Sequence, residues 1–352
     1  MTSKKLAAQP LRRRYYKRPL FWVISVAVCL ILITALAFRL SPWPGALVIR
    51  TVFDRNAHQT LQAMQAKLPD YPVKLVSNQH YRRGDKDALL DVYIPNSVVR
   101  TTVALPTVIW THGGAWLSGD KTNAGPYFER LANQGFVVIS LNYSLAPEKA
   151  YPAALSQLNA AYAYIQENAG RFHVNAQKIV LAGDSAGAQL SSQMAAILTN
   201  PTYAQEVGIK PSLAPSQLSG VVLYCGIYKM EGLTEPDATL PKIVSWGNDV
   251  TVWAYTGTRD KSSLLIRQMS AYYHVTKSFP VTFISGGNSD PLTNAQSVPF
   301  ANKLQSLGVP VTTLFYPQNH TPGLQHEYQF TFNGDGEKAF SDMTQFLKKQ
   351  TE

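Results

Sequence analysis

The decapeptide Lys178-Ile-Val-Leu-Ala-Gly-Asp-Ser-Ala-Gly187 constrains this chain more than any other segment. A short apolar run enters a Gly-x-Ser-x-Gly turn, and a Gly- and Pro-free segment rich in Ala, Gln, Leu and Met follows from Ala188 to Leu198. The pattern reads as strand, sharp turn and helix. Such a turn brings the flanking residues against neighbouring backbone, so Gly183 and Gly187 are where side chains have to be missing, and Ser185 stands at the tip. The helix that follows points its positive end at any oxyanion formed beside that serine.

Upstream, the β-rich run Thr107-Val-Ile-Trp-Thr111 ends in His112-Gly-Gly-Ala-Trp116. Adjacent glycines after a strand allow backbone N–H groups to converge on one point, which acyl transfer requires. The expected oxyanion donors are Gly113 and Gly114, with Ala186 as the third. Between the two motifs lie Asn142-Tyr-Ser-Leu-Ala-Pro-Glu148 and Tyr151-Pro-Ala-Ala154, preceded by a strand signal at 135–141 and followed by a helix signal from Ala153 to Asn168.

Taken in this order, the motifs from about Leu89 onward resemble the hormone-sensitive-lipase-like and related esterase branch of the α/β-hydrolases. The resemblance implies an α/β fold with an eight-stranded, mostly parallel sheet flanked by helices, and the alternation of strand and helix signals points the same way. It also implies a cap over the active site, placed at 231–267, where Trp246, Trp253 and Tyr255 are candidates to line an acyl pocket.

A triad needs an acid and a base after the serine. Phe279-Pro-Val-Thr-Phe-Ile-Ser285 reads as a strand, and Asp290 follows it in Gly286-Gly-Asn-Ser-Asp-Pro-Leu292. A carboxylate there can orient an imidazole and stabilise its charged form. Asp260 is the fallback, although it precedes the strand. Two histidines follow the strand Val311-Thr-Thr-Leu-Phe-Tyr316. His320 lies nearer the strand end. His326 has Tyr328 two positions on, similar to the His-Gly-Phe of the family, and lies closer to the last helix, expected over Glu337 to Lys349. His326 is preferred and His320 is the alternative. His58, His80, His173 and His274 lie outside the expected loops.

No cofactor or metal is expected. The chain has neither His-Glu-x-x-His nor Cys-x-x-Cys, and no Gly-x-Gly-x-x-Gly or phosphate-binding Lys motif. Its two cysteines, Cys29 and Cys225, are not expected to pair with each other.

The other strong signal is N-terminal. Residues 20–38 form an uncharged, mostly apolar run, about 28 Å long as a helix and close to a bilayer's hydrocarbon thickness. Lys4, Lys5, Arg12, Arg13, Arg14, Lys17 and Arg18 precede it with no acid among them. By the positive-inside rule, residues 1–19 form a cytoplasmic tail, and the catalytic domain lies on the far side of a single-pass membrane anchor. Cleavage after Ala35-Leu-Ala37 would instead release a secreted chain. Of the +10 net charge this tail carries +7, leaving +3 for the remainder, so charge supports topology and anionic lipid headgroups and gives little support to nucleic-acid binding. Residues 39–75 are expected to be membrane-proximal, with a helix at 45–68 carrying Val48, Val52, Leu61, Met64 and Leu68 on one side, either on the membrane or in a lid. The hydrolase domain then occupies 76–352.

Together these features point to a membrane-anchored serine hydrolase acting on small-molecule or lipid esters through an acyl-enzyme on Ser185. Acyl transfer or amide hydrolysis by the same residues, and a catalytically silent binding module on the same fold, are the alternatives.

Overall fold

The computed structural model describes residues 19–234 and 241–352. Eight strands, β1 (Val73–His80), β2 (Leu89–Pro95), β3 (Leu105–Thr111), β4 (Val137–Leu141), β5 (Val174–Asp184), β6 (Leu218–Tyr224), β7 (Thr282–Gly286) and β8 (Val311–Phe315), form one sheet in the order β1-β2-β4-β3-β5-β6-β7-β8. β1 and β2 pair antiparallel, as do β2 and β4, and every pairing from β4 through β3 to β8 is parallel. This is the eight-stranded, mostly parallel sheet expected from the sequence.

The main helices are α1 (Pro19–Leu40), α2 (Trp43–Lys67), α3 (Gly125–Ala132), α4 (Ala153–Glu167), α5 (Ala186–Thr199), α6 (Lys242–Thr256), α7 (Val298–Ser306) and α8 (Gly334–Thr351), with short helical turns between them. Both faces of the sheet are covered. Ile109, Leu181, Leu223 and Ile284 pack with Leu155 of α4, Leu190 of α5 and Phe300 of α7. Val108, Val180, Val222 and Phe283, one position away on the same strands, pack with Phe128 of α3 and Phe340 of α8. The two-residue period of a strand thus feeds two cores. Every residue of α5 is buried, which is why its sequence carries no charge and its Ser191, Ser192 and Thr199 hydroxyls donate to backbone carbonyls.

Two sequence expectations shift at the N-terminal side. The sheet starts at Val73, so a boundary at 76 would cut through β1. On α2 the buried residues are Gly45, Ala46, Ile49 and Met64, whereas Val48 and Val52 are exposed. The apolar residues of α2 therefore do not share one side, and its small residues, Gly45 and Ala46, carry the close contact with α6: a Cβ at Gly45 would stand 2.9 Å from Val250. The basic tail, 1–18, lies outside the described residues, as do 235–240 of the expected cap.

Candidate active site

The site forms at the carboxyl ends of the parallel strands, where open α/β sheets bind their ligands. β5 ends at Asp184, and Ser185 follows with φ 49° and ψ −119° before α5 begins. For a residue with a side chain this is a strained backbone, costing about 1–3 kcal/mol. Packing holds it there: a Cβ at Gly183 would lie 2.5 Å from the backbone of Gly187, and one at Gly187 would lie 2.0 Å from the Thr111 carbonyl. The Ser185 N–H donates to the Tyr224 carbonyl at 2.8 Å, extending the β5–β6 pairing into the turn.

Three side chains predicted from separate segments come together here. The Ser185 hydroxyl donates to His326 Nε2 at 3.0 Å, and His326 Nδ1–H donates to Asp290 Oδ2 at 2.7 Å. Asp290 is buried, and its other oxygen accepts from the Leu292 N–H at 2.9 Å. Tyr328 is buried and linked through its hydroxyl to Ser285 Oγ at the end of β7, 2.9 Å away, which pins the histidine loop to the sheet. His320 points elsewhere. Its Nε2 meets Asp335 Oδ2 at 3.1 Å at the start of α8, and it makes no contact with Ser185 or Asp290 among the described residues. Asp260 is exposed and caps Ser262, so it stays outside the site.

The oxyanion donors need one correction. The Gly113 N–H is already committed to Asp184 Oδ2 at 2.8 Å. A Cβ at Gly113 would lie 2.4 Å from that carboxyl oxygen, so glycine there serves the approach to Asp184. The chain then turns through Gly114 at φ 100° and Ala115 at φ 53°. Among the described residues the N–H groups of Gly114 and Ala115 find no acceptor, and neither does that of Ala186 at the first position of α5. Gly114, Ala115 and Ala186 are therefore the available donors. Ala115 was overlooked because a residue with a Cβ gives no sequence signal for a left-handed turn. The turn is braced from below: His112 is buried, stacks on Tyr143 at 4.4 Å between ring centroids and turns Nδ1 to the Gly113 carbonyl at 2.8 Å. Asn142 binds Asp120 Oδ2 at 2.7 Å and accepts from the Lys121 N–H at 2.6 Å. The Asn142-Tyr143 pair of the upstream motif thus supports the turn after β3.

Electrostatics set the charge states. Burial opposes charging of His326; a thiolate at Cys225 would raise its pKa well above the ordinary histidine value, and the hydrogen bond and charge of Asp290 push it the same way. Burial pushes the Cys225 thiol up to about 11, so it is neutral at pH 7 and Asp290 is the charge that acts on the ring there. Asp184 is held above the ordinary carboxylate range, by burial first and the neighbouring charge of Glu327 second, against the hydrogen bonds from Trp110 and Gly113. The ligand atoms of Cys225, Asp290 and His326 lie within 4.8 Å of one another. They fit a metal poorly, because the thiol is protonated at pH 7 and His326 Nδ1 and Asp290 are bonded to each other.

Beside the triad lies a cavity of about 390 Å³, lined by Gly114, Asp184, His326 and Glu327 on one side and by Phe53, Ala57, Thr60 and Met64 of α2 on the other. The acyl-pocket expectation for the aromatic residues of 231–267 fails. Trp246 and Trp253 line a second cavity of about 260 Å³, closed by Phe38 of α1. Tyr255 is buried flat against Trp116, 4.9 Å between centroids. α6 packs along α2, so α2 takes the place over the site that these aromatics were expected to fill.

Residues 90–304 match the family model described as BD-FAE. The chain belongs to the BD-FAE family. Among curated relatives this BD-FAE member is 29% identical over 236 residues to esterase LipC of Mycobacterium tuberculosis, covering 65% of this chain and 56% of that protein. It is 25% identical over 250 residues to esterase LipQ of the same organism, covering 70% and 56%. The alignments thus span little more than half the length of these relatives. Of solved structures, esterase B from Lactobacillus rhamnosis superposes with a TM-score of 0.76 at 20% identity, covering 88% of this chain and 96% of that one. A bacterial heroin esterase superposes at 0.65 and 20% identity, covering 86% and 91%. At these identities the superpositions establish the α/β-hydrolase fold.

Proposed function

We propose that this BD-FAE protein is a membrane-anchored serine carboxylesterase. The observation that carries this reading is the continuous relay from Ser185 Oγ through the His326 ring to Asp290, at 3.0 and 2.7 Å, beside unbonded backbone N–H groups. In the reaction, neutral His326 removes the hydroxyl proton as Ser185 Oγ attacks the ester carbonyl carbon. Charge collects on the carbonyl oxygen, facing the N–H groups of Gly114, Ala115 and Ala186, and Asp290 stabilises the imidazolium. His326 then protonates the leaving alcohol, the C–O bond breaks and the acyl group stays on Ser185. Water, deprotonated by the same ring, attacks the acyl-enzyme and releases the acid. The esterase names of the sequence relatives support this class of substrate.

α1 is long and apolar enough to cross a bilayer, with a mean hydropathy of 2.8 and no buried residue, a test that a signal sequence also passes. Two features favour the anchor. The helix runs through the Ala35-Leu-Ala37 cleavage pattern to Leu40, and Phe38 meets Trp246 with ring centroids 6.4 Å apart, a contact that binds the helix end to the hydrolase domain. With the basic residues preceding it, the anchor places the N-terminus in the cytoplasm and the domain outside.

A fluorophosphonate probe is expected to label the wild-type chain at Ser185. Ser185→Ala should lose labelling and ester hydrolysis while melting at the wild-type temperature. Full hydrolysis by the folded variant would remove Ser185 from the mechanism. Protease added to intact cells should digest the domain and spare the tail; recovery of a mature chain starting at Phe38 would establish cleavage instead.

A further inference from the structure

α2 has two sides with different duties. One contributes Phe53, Ala57 and Met64 to the wall of the catalytic cavity. Its first turns carry Trp43, Leu47, Val48 and Val52 exposed to solvent, Val52 to 51%. After Phe53 no large apolar residue of α2 is exposed, and apart from Ala63 and Ala66 the exposed positions are polar or charged, from Asp54, Arg55 and Asn56 to Gln65 and Lys67. The apolar surface is therefore confined to the end nearest α1, which stops at Leu40. It continues onto the start of α6, where Ile243 is 69% exposed with Val244 beside it. The two helices meet there, because Trp246 lies against both Gly45 of α2 and Phe38 of α1. Basic residues, Arg39 and Lys242, are exposed at this same end.

We propose that this surface, formed by the first turns of α2 and the start of α6, rests on the lipid bilayer that α1 enters, and that the substrates are lipid esters resident in that bilayer. The proposal rests on the esterase reading above. Its occupant is identified by continuity and charge. The patch begins three residues beyond an apolar helix of membrane-spanning length that has no buried residue, and its flanking cations suit lipid phosphates. An apolar patch with this placement is stabilised by the headgroup–acyl boundary, whereas in water it is a standing cost. Phe53 links the patch to the chemistry, since it is exposed, follows Val52 in the chain and lines the cavity that His326 also lines. An acyl chain leaving the bilayer along α2 would thus pass from Val52 to Phe53 and into the site. α2 is held in place for this by Arg50, which forms a two-pronged pair with Glu148 at 2.7 Å and donates to the Ala146 carbonyl at 2.8 Å.

The test uses the full chain reconstituted in vesicles of phosphatidylcholine and phosphatidylglycerol. The triple variant Val48→Gln/Val52→Gln/Ile243→Gln is compared with wild type on two substrates: soluble p-nitrophenyl acetate, and a diacylglycerol dissolved in the vesicle. All three side chains are exposed, so the first rate should stay within about twofold of wild type, while the second falls tenfold or more. Equal rates on the vesicle substrate overturn the proposal, and so does an equal fall on both substrates. A wild-type chain inactive on p-nitrophenyl acetate would count against the esterase reading itself. The seating is then read without catalysis, from an environment-sensitive fluorophore on Val52→Cys or Lys67→Cys in a Cys29→Ser background, Cys225 being buried. Quenching by nitroxide lipids at 52 and not at 67 supports the seat; quenching at neither position, or equally at both, overturns it.

Discussion

Exchanging each of two neighbouring histidines for alanine separates chemistry from support. In His326→Ala the ring that joins Ser185 Oγ at 3.0 Å to Asp290 Oδ2 at 2.7 Å is gone. The serine then has no base, and the imidazolium that would balance the oxyanion cannot form. A loss of roughly 10³-fold or more in kcat/KM is expected, which at about 1.36 kcal/mol per factor of ten is about 4 kcal/mol or more of transition-state stabilisation. In His320→Ala the lost contacts are a pair with Asp335 at 3.1 Å, with both side chains partly exposed, and a tilted ring contact with Tyr316 at 4.5 Å. A hydrogen bond contributes about 0.5–1.5 kcal/mol and the ring contact about 0.5–1.5 kcal/mol, so together about 1–3 kcal/mol of stability is at stake. The expected outcome is a melting temperature lower by a few degrees and activity within about threefold of wild type. Steady-state kinetics on p-nitrophenyl butyrate and thermal melts measure both. A folded His320→Ala without activity, beside a His326→Ala that keeps a tenth of the wild-type rate, would transfer the base to His320 and refute the geometry described here.

Two further outcomes follow from buried charges. Because the folded-state pKa of Asp184 is raised, its protonated form contributes stability that is complete below the unfolded carboxylate value and is lost as pH rises through the folded value. Glu327→Gln removes one cause of that shift, so the fall in melting temperature between about pH 5 and about pH 9 should be smaller than in wild type, and an unchanged fall would exclude Glu327 as a cause. Lys121 Nζ and Asp91 Oδ2 form a buried pair at 3.1 Å. Lys121→Met should therefore cost about 3–5 kcal/mol by stranding Asp91, and Lys121→Met/Asp91→Asn should recover much of it; chemical denaturation that shows no recovery would place the cost elsewhere.

The strand, elbow and helix around Ser185, the alternating strands and the span-length helix were legible in the chain because each is set by local spacing. A two-residue period builds strands with two buried faces, missing side chains mark a close approach, and an uncharged run of sufficient length suits a bilayer. The three residues of the relay were named from loops that follow such strands. Their meeting depends on contacts across the fold. His326 and His320 sit in one loop with similar local claims, and what separates them is their carboxylate partner, Asp290 for one and Asp335 for the other. Gly113 and Gly114 look alike in sequence, yet Asp184, 71 positions later, takes the first amide and moves the pair of free donors on to Gly114 and Ala115. The aromatic residues of α6 looked suited to an acyl pocket, and the packing of α6 along α2 turns Trp246 and Trp253 to a different cavity. Local pattern thus determined which segments carry chemistry, while the partner of each polar atom and the side of each helix were decided only when distant segments packed, because hydrogen bonding and burial are settled by whatever lies within a few ångströms in space.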